Sequence, residues 1–306
     1  MMYTPYLRGK QSEMLALRAK AGVLARENVL PIIEPVNQNP TRLLGYAQAL
    51  QDAGDSFIVI VNPKVGDFAG NPTQLHQAII GHEPEFNSLI VGILLDRGTT
   101  IAEVQAIVQS FQGYEIAFIH DDLDTNLPFG QFFTPTTKHF FIHGSHPYAY
   151  AQTIQGGLKS TIVDSFAIRN NADYPDDEFF SDVHLTHRQL GFDSFGDFTI
   201  MPAEFREGGG QPYCVAIHIL HLDNGPTSPM RMFHFKSTDR TTRGRAPEKA
   251  VQALNVMVNQ LQQTPIFEDI GIAGLRTHQA NSHNPGLGKL KELGITHHIE
   301  TFMQVS

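Results

Sequence analysis

The sequence predicts an α/β fold, a (β/α)8 TIM-barrel-like domain spanning residues 1–306 with an additional C-terminal β-hairpin and helices. Three observations carry this expectation. Short apolar runs rich in β-branched residues recur through the first two-thirds of the chain, and helical patterns follow several of them. The runs lack strict alternation, as strands covered on both faces do. The length, 306 residues, suits one barrel, a fold that routinely runs to about 250 residues or more.

In order, the strand candidates are Tyr3–Leu7, Val29–Ile33, Phe57–Val61, Leu89–Leu95, Glu115–Ile119, Lys138–Ile142 and Ser160–Val163, with Phe198–Met201 as the eighth. Between them, Ser12–Arg26 places Met14, Leu15, Leu17 and Leu24 at helical spacing. Thr41–Asp52 follows Asn39-Pro40, a cap with proline in the first turn, and Thr100–Phe111 opens on a Thr cap with Glu103 in its first turn. Strand–helix alternation of this kind gives a parallel sheet, and eight candidates favour a closed barrel over an open doubly wound sheet. No GxGxxG follows the first run and no Walker A motif is present.

The pattern then changes. An irregular insertion is expected at about 170–195, polar, acidic and aromatic, and a C-terminal elaboration at about 205–306. Tyr213–Leu222 and Met230–Lys236, separated by a turn-rich stretch with Asn224-Gly225, read as a β-hairpin. Thr238–Pro247 reads as a basic loop, Pro247–Leu261 as a helix, and Leu287–Met303 adds further helical pattern.

Composition narrows the function classes. Apolar residues make up 41% of the chain, charged residues 17%, and the net charge is −9 with a pI near 5.9. An acidic chain argues against a nucleic-acid partner, which usually meets a basic face. The single cysteine, Cys214, lies in an apolar run, reads as a small buried hydrophobe, and cannot form an intramolecular disulfide. The N-terminus shows no signal-peptide pattern and no run of about 18 apolar residues exists, so the expected location is cytoplasmic, away from any membrane.

Ligands of parallel α/β folds sit beyond the carboxyl ends of the strands. The runs are followed there by Arg8 and Lys10, Glu34, Asn62 and Lys64, Asp96 and Arg97, His120 with Asp121 and Asp122, His143, and Asp164, while Asp197 precedes the eighth. If one rim holds them all, they form a mixed ring that must be an ion-pair network, a metal site or a ligand site, because unpaired buried charges are too costly to keep. Two chemistries are open. Arg8, Lys10, Lys64 and Arg97 suit a phosphate, with His120 or His143 as acid or base. Glu34, Asp96, Asp121 and Asp164 suit a hard cation such as Mg2+, which would polarise a phosphoryl group. Glu34 and Asp96 are therefore candidate catalytic residues as well as metal ligands. Arg169 opens an acidic, aromatic segment after the seventh run, where barrels often bind phosphate, and Gly208-Gly209-Gly210 offers backbone N–H groups.

Fifteen histidines are present. His218 and His221 fall on opposite faces of a strand, His297 and His298 diverge on a helix, and His184 with His187 lack an accompanying carboxylate motif.

The opening Pro5-Tyr6-Leu7-Arg8-Gly9-Lys10-Gln11-Ser12-Glu13, together with Leu30-Pro31-Ile32-Ile33-Glu34-Pro35 and Gly196-Asp197-Phe198 with Pro202, resembles the "beta protein" family of phages and bacteria. Arg169–His184 and the ending His297-His298-Ile299-Glu300 are closer to a bacterial sister family of unknown function. The resemblance implies a barrel-type domain in phage-linked neighbourhoods, often beside a second small protein, and hence a role in antiphage defence. Its charged positions map onto Arg8, Lys10, Glu13, Glu34 and Asp197.

Three functions follow as expectations. The first is an enzyme acting on a phosphorylated small molecule or nucleotide, with Mg2+ as a candidate cofactor. The second is a non-catalytic subunit that senses a ligand or docks a second protein encoded nearby. The third is nucleic-acid binding through Arg240, Arg243, Arg245 and Lys249, which the acidic composition disfavours.

Overall fold

The computed structural model describes residues 2–122, 124, 126–144, 148–208, 210–222, 225–264 and 266–305. In chain order its elements are β1 (Tyr6–Leu7), α1 (Gln11–Ala19), β2 (Ile32–Ile33), α2 (Pro40–Asp52), β3 (Phe57–Ile60), α3 (Thr73–Ile80), β4 (Leu89–Leu95), α4 (Ile101–Ser110), β5 (Glu115–His120), β6 (Lys138–Ile142), α5 (Tyr148–Thr153), β7 (Leu158–Val163), β8 (Asp177–Ser181), α6 (Val183–Thr186), β9 (Ser194–Asp197), β10 (Ala216–Leu222), β11 (Met230–Lys236), α7 (Ala246–Leu261), α8 (Ile270–Ala280) and α9 (Leu287–Met303).

Eight strands form one parallel sheet in the order β1-β2-β3-β4-β5-β6-β7-β9. Tyr3 bridges both Val29 and Phe195, and the Thr4 N–H donates to the Phe195 carbonyl at 2.9 Å, so the sheet rolls into a nearly closed barrel. This is the expected (β/α)8-like architecture. β1 and β2 are short because Pro5 and Pro31 bring no N–H to the ladder. The ladder continues past them through the Leu30 N–H to Tyr3, Ile32 N–H to Pro5 and Glu34 N–H to Leu7 carbonyls.

The two-residue period of the strands sorts side chains cleanly. Tyr6, Ile32, Ile58, Ile60, Leu94, Ile119, Phe140 and Ile162 fill the barrel interior. Leu7, Ile33, Val59, Val61, Leu95, Phe118 and Phe195 face outward into a second apolar layer beneath the helices.

Two assignments differ from expectation by more than their end residues. The eighth barrel strand is Ser194–Asp197, not Phe198–Met201. Asp197 ends it by accepting the Thr199 N–H at 2.9 Å, and Thr199 takes φ 58°, a left-handed turn that no β-strand tolerates. The apolar run beyond serves other ends: Phe198 plugs the barrel interior. The segment read as an irregular insertion contains β8, which pairs antiparallel with β11. Its polar residues find cross-strand partners: Asp177 with Arg231, and Glu178 with His234.

The hairpin is observed. β10 and β11 pair antiparallel, with β8 added to give the order β10-β11-β8; Asp223 and Asn224 of its turn lie outside the described residues. One face of this sheet packs Ile217, Ile219, Phe233 and Phe235 against α7 and α8. The other face, with Leu220, Met230, Met232 and Phe180, joins the outer layer of the barrel. α9 runs back against α1, α8 and β10.

Closure of the barrel depends on one glycine. A Cβ at Gly196 would lie 1.9 Å from the Thr4 carbonyl oxygen, which is backbone of the seam itself. Gly196→Ala is therefore expected to destabilise the fold by about 3 kcal/mol, at the upper end of overpacking costs, with urea melts as the readout.

Candidate functional site

The interior row of side chains continues one step past each strand and becomes polar. Arg8 follows Tyr6, Glu34 follows Ile32, Asn62 follows Ile60, Asp96 follows Leu94, Asp121 follows Ile119 and Asp164 follows Ile162. Glu34, which is buried, accepts from the Tyr6 hydroxyl at 2.7 Å and the Lys64 N–H at 3.0 Å, and pairs with the Arg8 guanidinium. Lys64 Nζ lies 3.4 Å from both Asp96 and Glu103. Burial pushes the Asp121 carboxyl up, with Asp122 and Asp96 adding to the shift and Arg8 opposing it. Burial likewise raises Asp164, against the Ala203 N–H and Arg8.

The mouth is covered. Arg8 donates to the Ala203 carbonyl, and the Ala203 N–H donates to Asp164 at 3.1 Å, so the stretch after β9 is clamped across the rim through the backbone of one residue. Arg8 also lies over the rings of Tyr6 and Phe198, at 5.1 and 5.6 Å. Lys10 packs over Phe205 at 4.7 Å and reaches the Arg206 carbonyl at 3.4 Å.

Arg8, Glu34, Lys64, Asp96, Asp121 and Asp164 thus converge as expected, and they form an acidic ion-pair network. Arg8 and Lys64 are both committed to carboxylates. Both oxygens of Glu34 are taken by donors of the chain, and among the described residues no group of three or more His, Cys, Asp or Glu side chains is arranged to hold a metal ion. The rim residues do not fit Mg2+.

Other expected members lie elsewhere, because alternate residues of a strand point to opposite faces. His120 sits between Ile119 and Asp121 and turns outward. It is buried, stacks on Phe141 at 4.4 Å, and contacts His139 at 3.1 Å and Tyr150 at 3.2 Å. Asp197 is outward and buried, accepting from the Tyr3 hydroxyl at 2.7 Å and His298 at 3.0 Å. His143 is exposed against the Tyr148 hydroxyl at 2.6 Å, and Arg97 is exposed against Asp122. Arg169 pairs with Glu178 at 2.6 Å, beside the small sheet rather than on the rim. Lys249 is buried, not part of an exposed basic loop: its ammonium donates to the carbonyls of Pro212, Tyr213 and Thr242. Gly209 lies outside the described residues.

Asp121 supplies a pH test of the rim. Its folded pKa is raised above the ordinary 3.8, so the fold loses stability as pH rises from that value through the raised one. Asp121→Asn is expected to raise Tm near neutral pH, with the advantage vanishing below about pH 4; thermal melts across pH check this.

Open space lies beside the covered mouth. A cavity of about 410 Å³ is walled by Phe166, Asn171 and Tyr174 after β7, Ile200–Pro202 after β9, Val215 just before β10 and Ala216–His218 on it, and Leu287, Leu290 and Lys291 on α9. It remains on the carboxyl side of the barrel, where β7 and β9 end. Its size and mostly apolar wall, with few polar groups, are those of small-molecule sites.

The two basic groups among them are both perturbed. Burial pushes the Lys291 ammonium below its usual range; Glu13 opposes and Lys10 adds to the shift. Lys291 makes no hydrogen bond or ion pair with another described residue. His218 is pushed down to about 3, by burial first and then by His234 and Lys291. Tyr174 and Asn171 are held by the Ala167 and Cys214 carbonyls at 2.8 and 2.9 Å.

Sequence reasoning passed over Lys291, one cation in a helical pattern. His234 was legible: a hairpin joining Leu222 to Met230 sets His218 opposite His234, the register observed. No protein-family model matches the chain, and neither a curated protein nor a solved structure matches it.

Proposed function

We propose that the protein binds a small molecule with an apolar body and one anionic head, a phosphate monoester or a carboxylate, in the 410 Å³ cavity. The observation that carries this reading is Lys291: a largely desolvated ammonium in the cavity wall that makes no hydrogen bond or ion pair with another described residue and feels the Glu13 carboxylate only at longer range. An anion beside it restores what burial removes, since opposite charge favours the charged form. The phosphate expected at the rim is better served here, because the rim cations are already neutralised by carboxylates.

Isothermal titration with phenyl phosphate, 4-methyl-2-oxopentanoate and the neutral 4-methyl-2-pentanone tests the reading. One or both anions should bind and the ketone should not. Lys291→Met should weaken binding by about 10- to 150-fold, the worth of a charged hydrogen bond, and Lys291→Arg by much less. Affinity should fall as pH rises through the lowered ammonium pKa, because the neutral amine offers no charge. Unchanged affinity in Lys291→Met would remove this site from consideration.

A further inference from the structure

The small sheet carries a line of three titratable side chains that ends on the cavity. Glu178 on β8, His234 on β11 and His218 on β10 all project from the sheet face that meets the barrel. His218 and His234 are directly opposed in the β10–β11 register. His234 Nε2 lies 3.0 Å from Glu178 Oε1, and His234 Nδ1 lies 2.7 Å from His218 Nδ1. Arg169 Nη1 donates to both oxygens of Glu178, at 2.6 and 2.8 Å, and Tyr174 stacks on His234 with ring centroids 4.6 Å apart.

The hydrogen bonds fix the protons. A carboxylate only accepts, so His234 Nε2 carries a proton and donates it to Glu178. Neutral His234 then presents a bare Nδ1, and the contact from His218 requires a donor there, so His218 is protonated at Nδ1. His218 Nε2 is left with a lone pair and no partner among the described residues, on a residue that lines the cavity. The groups facing His218 are His234 from β11, Lys291 from α9, and the rings of Phe166 and Tyr174 at 4.9 and 5.0 Å.

The geometry points to His218 as the catalytic base of a proton-transfer enzyme, with His234 and Glu178 as positioning residues. The substrate class is a small anionic oxo compound bearing a C–H next to its carbonyl. This rests on the binding reading above. In the step, the C–H bond breaks and its proton goes to His218 Nε2. The electron pair forms the enolate C=C, and the carbonyl π pair moves onto oxygen, near the Lys291 ammonium. The Nδ1 proton of His218 can pass to His234 Nδ1, leaving an imidazolium against the Glu178 carboxylate. Return of the proton to the same or an adjacent carbon completes an exchange or isomerisation with no oxidant or co-reactant. Burial is the main cause that holds His218 unprotonated, followed by His234 and Lys291, and the ligand's negative charge offsets the last of these.

The test is deuterium uptake from deuterium oxide into 4-methyl-2-oxopentanoate and acetonyl phosphate, followed by proton NMR beside calorimetric binding of the same compounds. Exchange should be accelerated for whichever probe binds. His218→Gln should lower the exchange rate by about 100-fold or more, a usual contribution of a positioned base, with binding retained. Glu178→Gln should lower it less and move the acidic limb of the pH profile to lower pH, a readout that simple loss of structure does not give. Nitrogen NMR of the unaltered protein should show His218 protonated at Nδ1 and bare at Nε2. Binding without accelerated exchange overturns the catalytic assignment and leaves the binding reading standing, whereas absence of binding defeats both. An Nε2–H tautomer of His218, or full exchange activity in His218→Gln, also overturns the assignment.

Discussion

Glu34→Ala is expected to lower the unfolding free energy by about 3–5 kcal/mol, the usual consequence of removing one partner of a buried ion pair. Glu34 is 1% exposed, and Arg8 is itself largely enclosed. Without the carboxylate, the guanidinium keeps its desolvation penalty and loses its counter-charge, while the Tyr6 hydroxyl and the Lys64 N–H lose their acceptor. The damage should spread to the rim cover, since Arg8 also holds the Ala203 carbonyl. An Arg8→Met, Glu34→Leu double variant should recover part of the loss, because it removes both charges together. Urea denaturation of the two single variants and the double variant measures the coupling. A loss under about 1 kcal/mol in Glu34→Ala, the size of an exposed pair, would mean the rim is far wetter than its geometry indicates.

Asp197→Ala should cost the fold a similar 3–5 kcal/mol, at the opposite face of the barrel wall, because three buried donors lose their acceptor at about 1–3 kcal/mol each. Asp197 is fully buried and accepts from the Tyr3 hydroxyl, the Thr199 N–H and His298 Nε2. These contacts join the β1–β9 seam to α9, so three distant parts of the chain share one carboxylate. Asp197→Asn should cost only about 1–2 kcal/mol. The amide oxygen still serves Tyr3 and Thr199. Its NH2 group faces His298, which must then shift its proton to Nδ1, a buried nitrogen with no acceptor among the described residues. A larger loss for Asn than for Ala would contradict this account of the seam.

The barrel was legible because its signal is repetition: apolar runs at regular intervals, each with the composition of a strand covered on both faces. The polar row at its mouth was legible as far as the period of two was applied. Arg8, Glu34, Asp96, Asp121 and Asp164 are each an even step from an interior residue, and they converge. His120 and Asp197 are an odd step away and end under the helices, a distinction that proximity to the strand end alone does not make. β8 escaped notice because its Asp177 and Glu178 read as loop residues until Arg231 and His234 stand opposite them. The cavity was illegible from local pattern: Tyr174, Ile200, His218 and Lys291 are brought together by the antiparallel sheet and α9 docking beside the barrel, contacts of long range that no single segment encodes.

The rim and the cavity make opposite claims on an anionic ligand, and diffraction from crystals soaked in phenyl phosphate separates them. The phosphate should be found within hydrogen-bonding distance of Lys291 Nζ, with the phenyl ring against Ile200 and Leu290 and the Ala203 backbone still clamped between Arg8 and Asp164. Phosphate density between Arg8 and Lys64, with the Ala203 segment lifted and the cavity empty, would contradict the assignment.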